Sequence, residues 1–476
     1  MNEKLTIYQP GGGWPNPHQC IESTALLNLR FAVFEGLTGY DEHMQIIPLL
    51  AETWTVSEDA KDWVFTIRQD VRFHDGTVLT AADAAASIGN ASRKEISGAY
   101  GTDALLYAYL GSAKIEPTDP AHLHITLPEP MADLPDLLVY IMIIPEKYIG
   151  TDPETIPGTG PFSLSSRNEK SYVFLRNEKY WRNLPVYSIL EFVNEASADN
   201  RVKALLEGKA DIITGLNWSH TTKIDADDNS LIIENDPPAA MILMLNCFNG
   251  PFTDVRVRQA MNYGTDQEEI IQTACKGSAL KLNGPVTPVH FGFPSHADPY
   301  PYDTGKAWKL LAEAGYEDGL ELTMIRPTRM PDEAGAVTDC LKKQWARIGV
   351  RLNIIPQPDR EQYSADVRKK QIHDLCFFDS APVSTYRVLR EKLDSSVRGP
   401  WWQGYDSSAL NGILHEAART ISGKKREELY REAIRTVTDE APWVFLYSPV
   451  RFFGLKWDVF EQCPGICRRA DGVLLF

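Results

Sequence analysis

A single segment in the second half of the chain limits the possible folds. It runs from Gly319 to Ile354, opens with the strand-like GLELTMI and continues into a predicted helix from Asp332. Apolar residues recur every three or four positions on that helix, Gly349 ends it, and apolar residues alternate from Val350 onward. A strand, a helix and a strand in this order require two parallel strands joined by a right-handed crossover. The chain therefore contains an α/β domain.

The same sheet predicts where a ligand would bind. The apolar HDLCFF, at 373–378, is predicted to form another of its strands. Ligands of open α/β sheets bind beyond the carboxyl ends of the strands. Two loops follow strands in this way, Arg326 to Pro331 and Asp379 to Arg387. The second loop carries hydroxyl, carboxylate and guanidinium groups that a simple connection does not need, so we expect ligand contacts there.

Apolar residues in the first half of the chain predict strands and no membrane span. Trp63, Phe65 and Ile67 alternate with polar residues in WVFTIRQDVRF. The longest apolar run, LPDLLVYIMIIP from Leu134, contains a proline and an aspartate and stays below the about 18 residues that cross a membrane. We predict core strands in that run.

Length and charge exclude several classes of protein. A chain of 476 residues is longer than one core usually supports, so two large domains are expected. The net charge is −16 and no block of Lys or Arg stands out as a stripe that could follow a phosphate backbone, so we do not expect nucleic acid as a partner. The start, MNEKLTIYQPGGGW, lacks the features of a secretory signal. The chain is therefore either cytoplasmic or the mature form of an exported protein.

The cysteines do not form a disulfide framework. There are seven, which is an odd number, and they are scattered through a large chain. They are Cys20, Cys247, Cys275, Cys340, Cys376, Cys463 and Cys467. The close pair in CPGIC, Cys463 and Cys467, could form a disulfide bridge or provide half of a metal site. The favoured interpretation is that they are two small apolar side chains near a turn.

Catalytic and metal-binding patterns are missing from the sequence. It has no metalloprotease, nucleotide-binding or serine hydrolase motif, so we predict neither an enzyme nor a cofactor. His122 and His124 share one face of a predicted strand but have no third ligand nearby, so no metal site is predicted. His18 lies in WPNPHQC, a loop made rigid by two prolines, and could face a binding cleft.

Four segments resemble, in order, the landmarks of the family 5 extracytoplasmic solute-binding proteins. These proteins are the peptide, nickel and metallophore receptors of ABC importers. The segments are Phe34 to Ile88, IPGTGPFSL with VFLRNEKYW, FTDVRVRQAMNYGTD, and YDTGKAWKLLAEAGY. The resemblance implies that Gly158, Thr159 and Gly160 form a tight turn and that Trp54 and Trp181 fill cores.

The resemblance also implies the architecture and the partners. We expect a two-lobed α/β periplasmic-binding-protein fold with mixed sheets and a hinge of two strands. Lobe I would comprise 1–240 and 447–476, with an inserted subdomain at about 41–160, and lobe II would comprise 241–446. The protein would be a periplasmic or membrane-anchored monomer that delivers a small molecule or peptide to the ABC permease subunits. A cytoplasmic ligand-sensing module of the same fold is the alternative.

The expected ligand loop departs from the family pattern. Peptide receptors of the family place a tryptophan after the strand, where this chain has Leu375 or Cys376, and an aspartate that pairs with the amino terminus of the peptide. In this chain Asp379 stands about one position away, counted from Pro382, from where those receptors place that aspartate. Arg387 is suited either to a carboxylate of the ligand or to an acidic side chain of the protein.

Aromatic residues complete the predicted site, since aromatic walls with a few polar anchors are typical of ligand pockets. RGPWWQGYD supplies two tryptophans and a tyrosine, and at least one of the tryptophans is expected to belong to the core. The candidate ligand-binding residues are Arg387, Asp379, Tyr386, Ser384, Trp402, Trp401, Tyr405, His18 and Arg326.

Overall fold

The computed structural model describes residues 3–14, 16–19, 23–96, 105–295, 298–328 and 331–476. The chain divides into two compact units. Unit 1 comprises Met1–Asn235 and Arg451–Phe476, and unit 2 comprises Asp236–Val450. None of the helices in these described ranges is long and apolar enough to span a membrane.

The first part of unit 1 contains twelve strands and six α-helices in its described residues, besides two short 3-10 helices at Glu146–Tyr148 and Pro153–Thr155. The strands are β1 (Lys4–Gln9), β2 (Thr38–Tyr40), β3 (Ile46–Pro48), β4 (Ala51–Val56), β5 (Asp62–Ile67), β6 (Lys114–Asp119), β7 (His122–Thr126), β8 (Phe162–Arg167), β9 (Ser171–Arg176), β10 (Ile189–Asn194), β11 (Ile212–Leu216) and β12 (Ser230–Asn235). The helices are α1 (Thr24–Val33), α2 (Ala81–Ala91), α3 (Leu105–Leu110), α4 (Leu134–Leu138), α5 (Ala198–Leu206) and α6 (Trp218–Asp225).

Unit 2 contributes six strands and eight α-helices from its described residues, besides a short 3-10 helix at Pro251–Thr253. The strands are β13 (Ala240–Leu245), β14 (Ala279–Lys281), β15 (Leu320–Pro327), β16 (Val350–Gln357), β17 (Leu375–Ser380) and β18 (Trp443–Pro449). The helices are α7 (Val255–Tyr263), α8 (Gln267–Thr273), α9 (Thr304–Glu313), α10 (Ala334–Ala346), α11 (Arg360–Arg368), α12 (Thr385–Leu393), α13 (Ser408–Arg419) and α14 (Gly423–Glu440). The chain then returns to unit 1 as β19 (Arg451–Lys456) and α15 (Trp457–Gln462).

Each unit has one large mixed sheet. In unit 1 the strand order is β12-β19-β11-β1-β10-β9-β8, with β1 parallel to both of its neighbours. A separate four-stranded antiparallel sheet of order β4-β5-β7-β6 also belongs to this unit. In unit 2 the order is β14-β18-β13-β17-β15-β16.

The predicted strand, helix and strand in unit 2 are confirmed. β15 and β16 are parallel, with Leu320 beside Val350, and α10 connects them. The apolar stripe of α10 packs into the core, where Val337 and Trp345 are fully buried. Gly349 has a positive φ of 80°, as expected for the residue that ends the helix. The predicted third strand, β17, is parallel to β15.

The predictions for the first half are confirmed in part. Trp63, Phe65 and Ile67 of β5 are buried, while the residues between them are partly exposed. The core strands predicted in LPDLLVYIMIIP are wrong, because its first residues form α4. Pro135 stands in the first turn of that helix, where its missing N–H costs nothing. Ile143 is buried but lies outside any strand, and its backbone N–H donates to the carbonyl of Glu35 at 2.9 Å.

The C-terminal segment of unit 1 holds the ends of β12 and β19. Asn235, the last residue of β12, donates from Nδ2 to the carbonyl of Arg469 at 3.1 Å. Arg451, the first residue of β19, donates to the carbonyl of Asp471. Nη2 of Arg469 also lies 2.5 Å from Oδ2 of Asp471, and both side chains are buried. Asn235 and Arg451 are the residues of unit 1 at which the chain passes to and from unit 2. The C-terminal segment therefore holds both of these residues in place.

We expect Gly472→Ala to lower the free energy of unfolding by about 2 kcal/mol. Gly472 has a φ of +76°, and a Cβ there would lie 2.0 Å from Nη1 of Arg451. The substitution therefore combines a strained backbone with displacement of a buried guanidinium from its acceptor. Urea denaturation measures the loss. Gly465→Ala in the same segment is the control, since its nearest heavy atom is 4.0 Å away. Equal stability of the two variants would contradict the explanation.

Candidate functional site

The predicted ligand loop lies in unit 2, at the carboxyl edge of the parallel strands. Ile325 of β15 lies beside Cys376 of β17. Because the two strands are parallel, their carboxyl ends meet at one edge of the sheet. Arg326 and Asp379 occupy these two ends. The structure therefore places two of the predicted residues at the same edge.

Asp379 forms an ion pair that solvent can reach. Its Oδ1 atom is 3.3 Å from Nη2 of Arg360, which is the first residue of α11. The side chains of Asp379 and Arg360 are 38% and 23% exposed. An ion pair with this exposure contributes about 0–1 kcal/mol to stability, so a charged ligand can replace either partner at low cost.

Arg387, the predicted carboxylate anchor, already has a carboxylate partner in its own helix. Ser384 caps α12 by accepting from the backbone N–H of Arg387 at 3.2 Å. One turn further along the helix, Glu391 Oε1 lies 2.8 Å from Nε of Arg387, and both side chains are buried. Tyr386 is also buried, and its ring lies 5.4 Å from the guanidinium of Arg390. Contact between Arg387 and a ligand stays a prediction.

The three predicted aromatic residues have different surroundings. Trp402 is buried and donates from Nε1 to the carbonyl of Tyr405 at 2.6 Å. Tyr405 is buried as well and donates to Glu440 at 2.6 Å, and burial raises the pKa of its hydroxyl. Trp401 is only partly buried, and its ring lies 5.0 Å from that of Phe378. Trp401 is therefore the aromatic residue that stands next to the carboxyl end of β17.

His18 lies in unit 1, and both of its ring nitrogens have partners. Nε2 donates to the carbonyl of Met142 at 3.1 Å, and Nδ1 accepts from Nδ2 of Asn90 at 2.8 Å. Burial lowers the pKa of the imidazole to about 4, so the ring is neutral at pH 7. These contacts hold the loop against the core, and contact between His18 and a ligand stays a prediction.

The first predicted loop is described only in part. Arg326 packs against the first turn of α10, where its Nη1 would lie 3.4 Å from a Cβ at Gly335. Its Nε is buried without a hydrogen-bond partner among the described residues. Arg329 and Met330 of the same loop lie outside the described residues, as does Cys20.

Neither a metal site nor a disulfide is found in the described part of the chain. No group of three His, Cys, Asp or Glu residues there is placed to hold a metal ion. The two cysteines of CPGIC are free thiols, Cys463 partly exposed and Cys467 buried. Burial raises the pKa of both thiols. The burial of Cys467 and the partial burial of Cys463 fit the favoured interpretation of this pair as small apolar side chains.

The chemistry of the site comes from its edge groups. Asp379 provides a carboxylate, Arg360 a guanidinium, and Trp401 an aromatic surface near the same strand end. Such a set suits a small ligand that carries both an amine and a carboxylate. The sequence interpretation missed Arg360, although the rule that singled out the ends of β15 and β17 also applies to the helix that follows β16.

A family model matches most of the chain. Residues 45–385 match the model described as bacterial extracellular solute-binding proteins, family 5 Middle. The glutathione-binding protein GsiB of Salmonella typhimurium is 28% identical over 432 residues, which cover 86% of this chain and 82% of that protein.

Solved structures share the fold. HbpA2 from Haemophilus parasuis superposes with a TM-score of 0.83 at 21% identity, covering 95% of this chain and 96% of that one. The ABC transporter-associated periplasmic binding protein DppA from Helicobacter pylori, in complex with the peptide STSA, gives a TM-score of 0.74 at 23% identity, covering 95% of this chain and 94% of that one. The predicted α/β periplasmic-binding-protein fold is confirmed by these similarities.

Proposed function

The chain belongs to the bacterial extracellular solute-binding proteins, family 5, and we propose that it captures a small zwitterionic, peptide-like ligand for an ABC importer. The family match over residues 45–385 carries the receptor function. The relative GsiB, by its name a glutathione-binding protein, supports the peptide-like class. The alternative of a cytoplasmic sensor is not supported, because the family is extracellular.

The ligand class is supported by the ion pair at the edge of the sheet. Asp379 and Arg360 present opposite charges 3.3 Å apart, and both are partly exposed. An amine on the ligand would take the place of Arg360 at Asp379, and the released guanidinium would bind a carboxylate of the ligand. After this exchange every charge still has a partner of opposite sign, which lowers the free energy needed to desolvate the site.

The protein is proposed to work without a cofactor. No chemical step is needed, because a binding protein acts through the differential stability of its ligand-bound state. We propose a monomer without enzymatic activity that acts outside the cytoplasmic membrane, free or anchored, and that transfers its ligand to the permease subunits. A bare metal ion is not favoured as the ligand, since the described residues provide no cluster to coordinate it.

Native mass spectrometry of the purified protein tests the proposal. We expect either a retained small zwitterion or, after unfolding and refolding, binding of added reduced glutathione or a tripeptide, measured by calorimetry. N-acetylated forms of the same ligands serve as controls, since they lack the amine. Binding of nickel chloride alone, or chemical turnover of the added ligand, would contradict the proposed function.

A further inference from the structure

The connection between β14 and α9 contacts the candidate ligand loop at two points. His290 Nε2 lies 2.9 Å from the carbonyl oxygen of Pro382. Thr385 donates from Oγ1 to the carbonyl of Phe291 at 2.7 Å. Two neighbouring residues of one segment therefore bond to Pro382, within the loop at 381–384, and to Thr385, which directly follows that loop.

The protonation of His290 makes it a donor toward the loop. Its Nδ1 lies 3.2 Å from the backbone N–H and 3.1 Å from the hydroxyl of Thr287, which can both donate to it, and 3.2 Å from the carbonyl oxygen of the same residue. Nε2 faces the carbonyl oxygen of Pro382 at the shorter distance of 2.9 Å, and a carbonyl can only accept, so we assign the ring proton to Nε2. The side chain is buried, and this burial lowers the pKa of the imidazole to about 4. At neutral pH the ring is therefore neutral and donates its single proton to the carbonyl of Pro382.

The segment that carries His290 is itself fixed to α14. The ring of Phe291 meets that of Tyr430 edge to face at 6.0 Å. Gly292 has a φ of +80°, and a Cβ there would lie 2.7 Å from Cβ of Tyr430. The backbone can approach the helix this closely only at a glycine. The loop at 381–384 is therefore bonded to a segment that is itself packed against α14.

We infer that His290 is a positioning residue, which holds the loop at 381–384 in the conformation that presents Asp379 and the start of α12 to the ligand. The inference rests on the proposed function of this edge of the sheet. A loop that is ordered before binding does not lose conformational freedom when the ligand arrives. Without the bond to Pro382 we expect the affinity for a zwitterionic ligand to fall about 10-fold.

Two substitutions separate the two bonds of His290. In His290→Asn the side-chain oxygen can still accept from Thr287, but no donor reaches Pro382. In His290→Gln the amide nitrogen retains that reach. We expect faster amide exchange at 383–388 and about 10-fold weaker binding of reduced glutathione in H290N, with recovery of both in H290Q. Thr385→Val, which removes the other bond with little change of shape, is the second variant and should also speed exchange.

The outcomes are distinguishable because amide exchange is measured without ligand. Wild-type exchange in both H290N and Thr385→Val would overturn the inference, and so would an H290Q variant as impaired as H290N in a protein of unchanged thermal stability. Faster exchange in H290N, together with a wild-type protein that binds no zwitterion, would contradict the proposed function and leave the positioning of the loop supported.

Discussion

Replacing Glu35 with leucine is expected to lower the free energy of unfolding of unit 1 by about 4 kcal/mol. The carboxylate of Glu35 is buried and accepts three hydrogen bonds, each of 2.9 Å. The donors are the hydroxyls of Thr159 and Tyr180 and the indole N–H of Trp181. Leucine fills a similar volume but leaves all three donors without an acceptor.

The size of this effect follows from where the donors lie in the sequence. Thr159 stands between Gly158 and Gly160, where a Cβ would lie 1.8 Å and 2.7 Å from the carbonyl oxygen of Val33. The turn thus packs directly on the end of α1, and Glu35 follows that helix by two residues. One carboxylate joins the first landmark of the sequence to both parts of the second, so its loss loosens three segments together.

Glu35→Gln is the matched control for this prediction. Its carbonyl oxygen can accept from Thr159 and Trp181, and its amide can donate to the hydroxyl of Tyr180, so we expect stability close to that of the wild type at pH 7. Urea denaturation followed by tryptophan fluorescence measures both variants. A leucine variant as stable as the glutamine variant would show that the three hydrogen bonds do not stabilise unit 1.

The same residue gives a dependence on pH. Burial raises the pKa of Glu35, so the folded chain holds this proton more tightly than the unfolded chain. Its contribution to stability is therefore complete below the unfolded pKa and falls as the pH rises through the folded pKa. We expect the wild type to gain stability relative to E35Q as the pH is lowered toward the ordinary range of a glutamate.

The local elements could be predicted because they depend on nearby residues. The apolar stripe of α10, the glycine at 349 and the cap of α9 are determined within a few positions of the chain. Asp303, which immediately precedes α9, caps the helix by accepting from the backbone N–H of Lys306 at 2.8 Å. His122 and His124, predicted to share one face of a strand, are both partly exposed in β7, while Leu123 and Ile125 are buried.

Polar contacts between distant residues could not be predicted in this way. The expectation that Trp54 and Trp181 fill cores is wrong, since both are partly exposed. Trp181 instead donates to Glu35, which is 146 residues away in the chain. His290 and Pro382 are separated by 92 residues, and no local pattern marks either as a partner. Such pairs become visible only when the fold has brought them together.

One contact at the candidate site could have been predicted from the spacing of its two residues. Arg387 and Glu391 are four residues apart, the spacing at which opposite charges meet on a helix. A helix was not predicted at that point, because the segment follows a predicted strand and was expected to be a ligand loop. The structure begins α12 at Thr385, so the same residues form the first turns of a helix.

Asp379→Asn is expected to weaken binding of a zwitterionic ligand about 100-fold, or about 2.7 kcal/mol. Asparagine keeps the shape of the side chain and removes the charge that would hold the amine of the ligand. Glu361→Gln is the matched control, because it makes the same change of net charge on the exposed face of α11, next to Arg360. Calorimetry with reduced glutathione compares the two variants.

The ligand itself supplies the decisive comparison. An N-acetylated ligand has no amine, so the wild type and D379N should bind it with similar, weak affinity. A loss in D379N that is equally large for the free and the acetylated ligand would show that Asp379 acts through Arg360 and the loop rather than on the amine. In that case Arg360→Met should reproduce the loss. If Asp379 does bind the amine, Arg360→Met should instead weaken only ligands with a free carboxylate, because the two charges of the site would then hold opposite ends of one molecule.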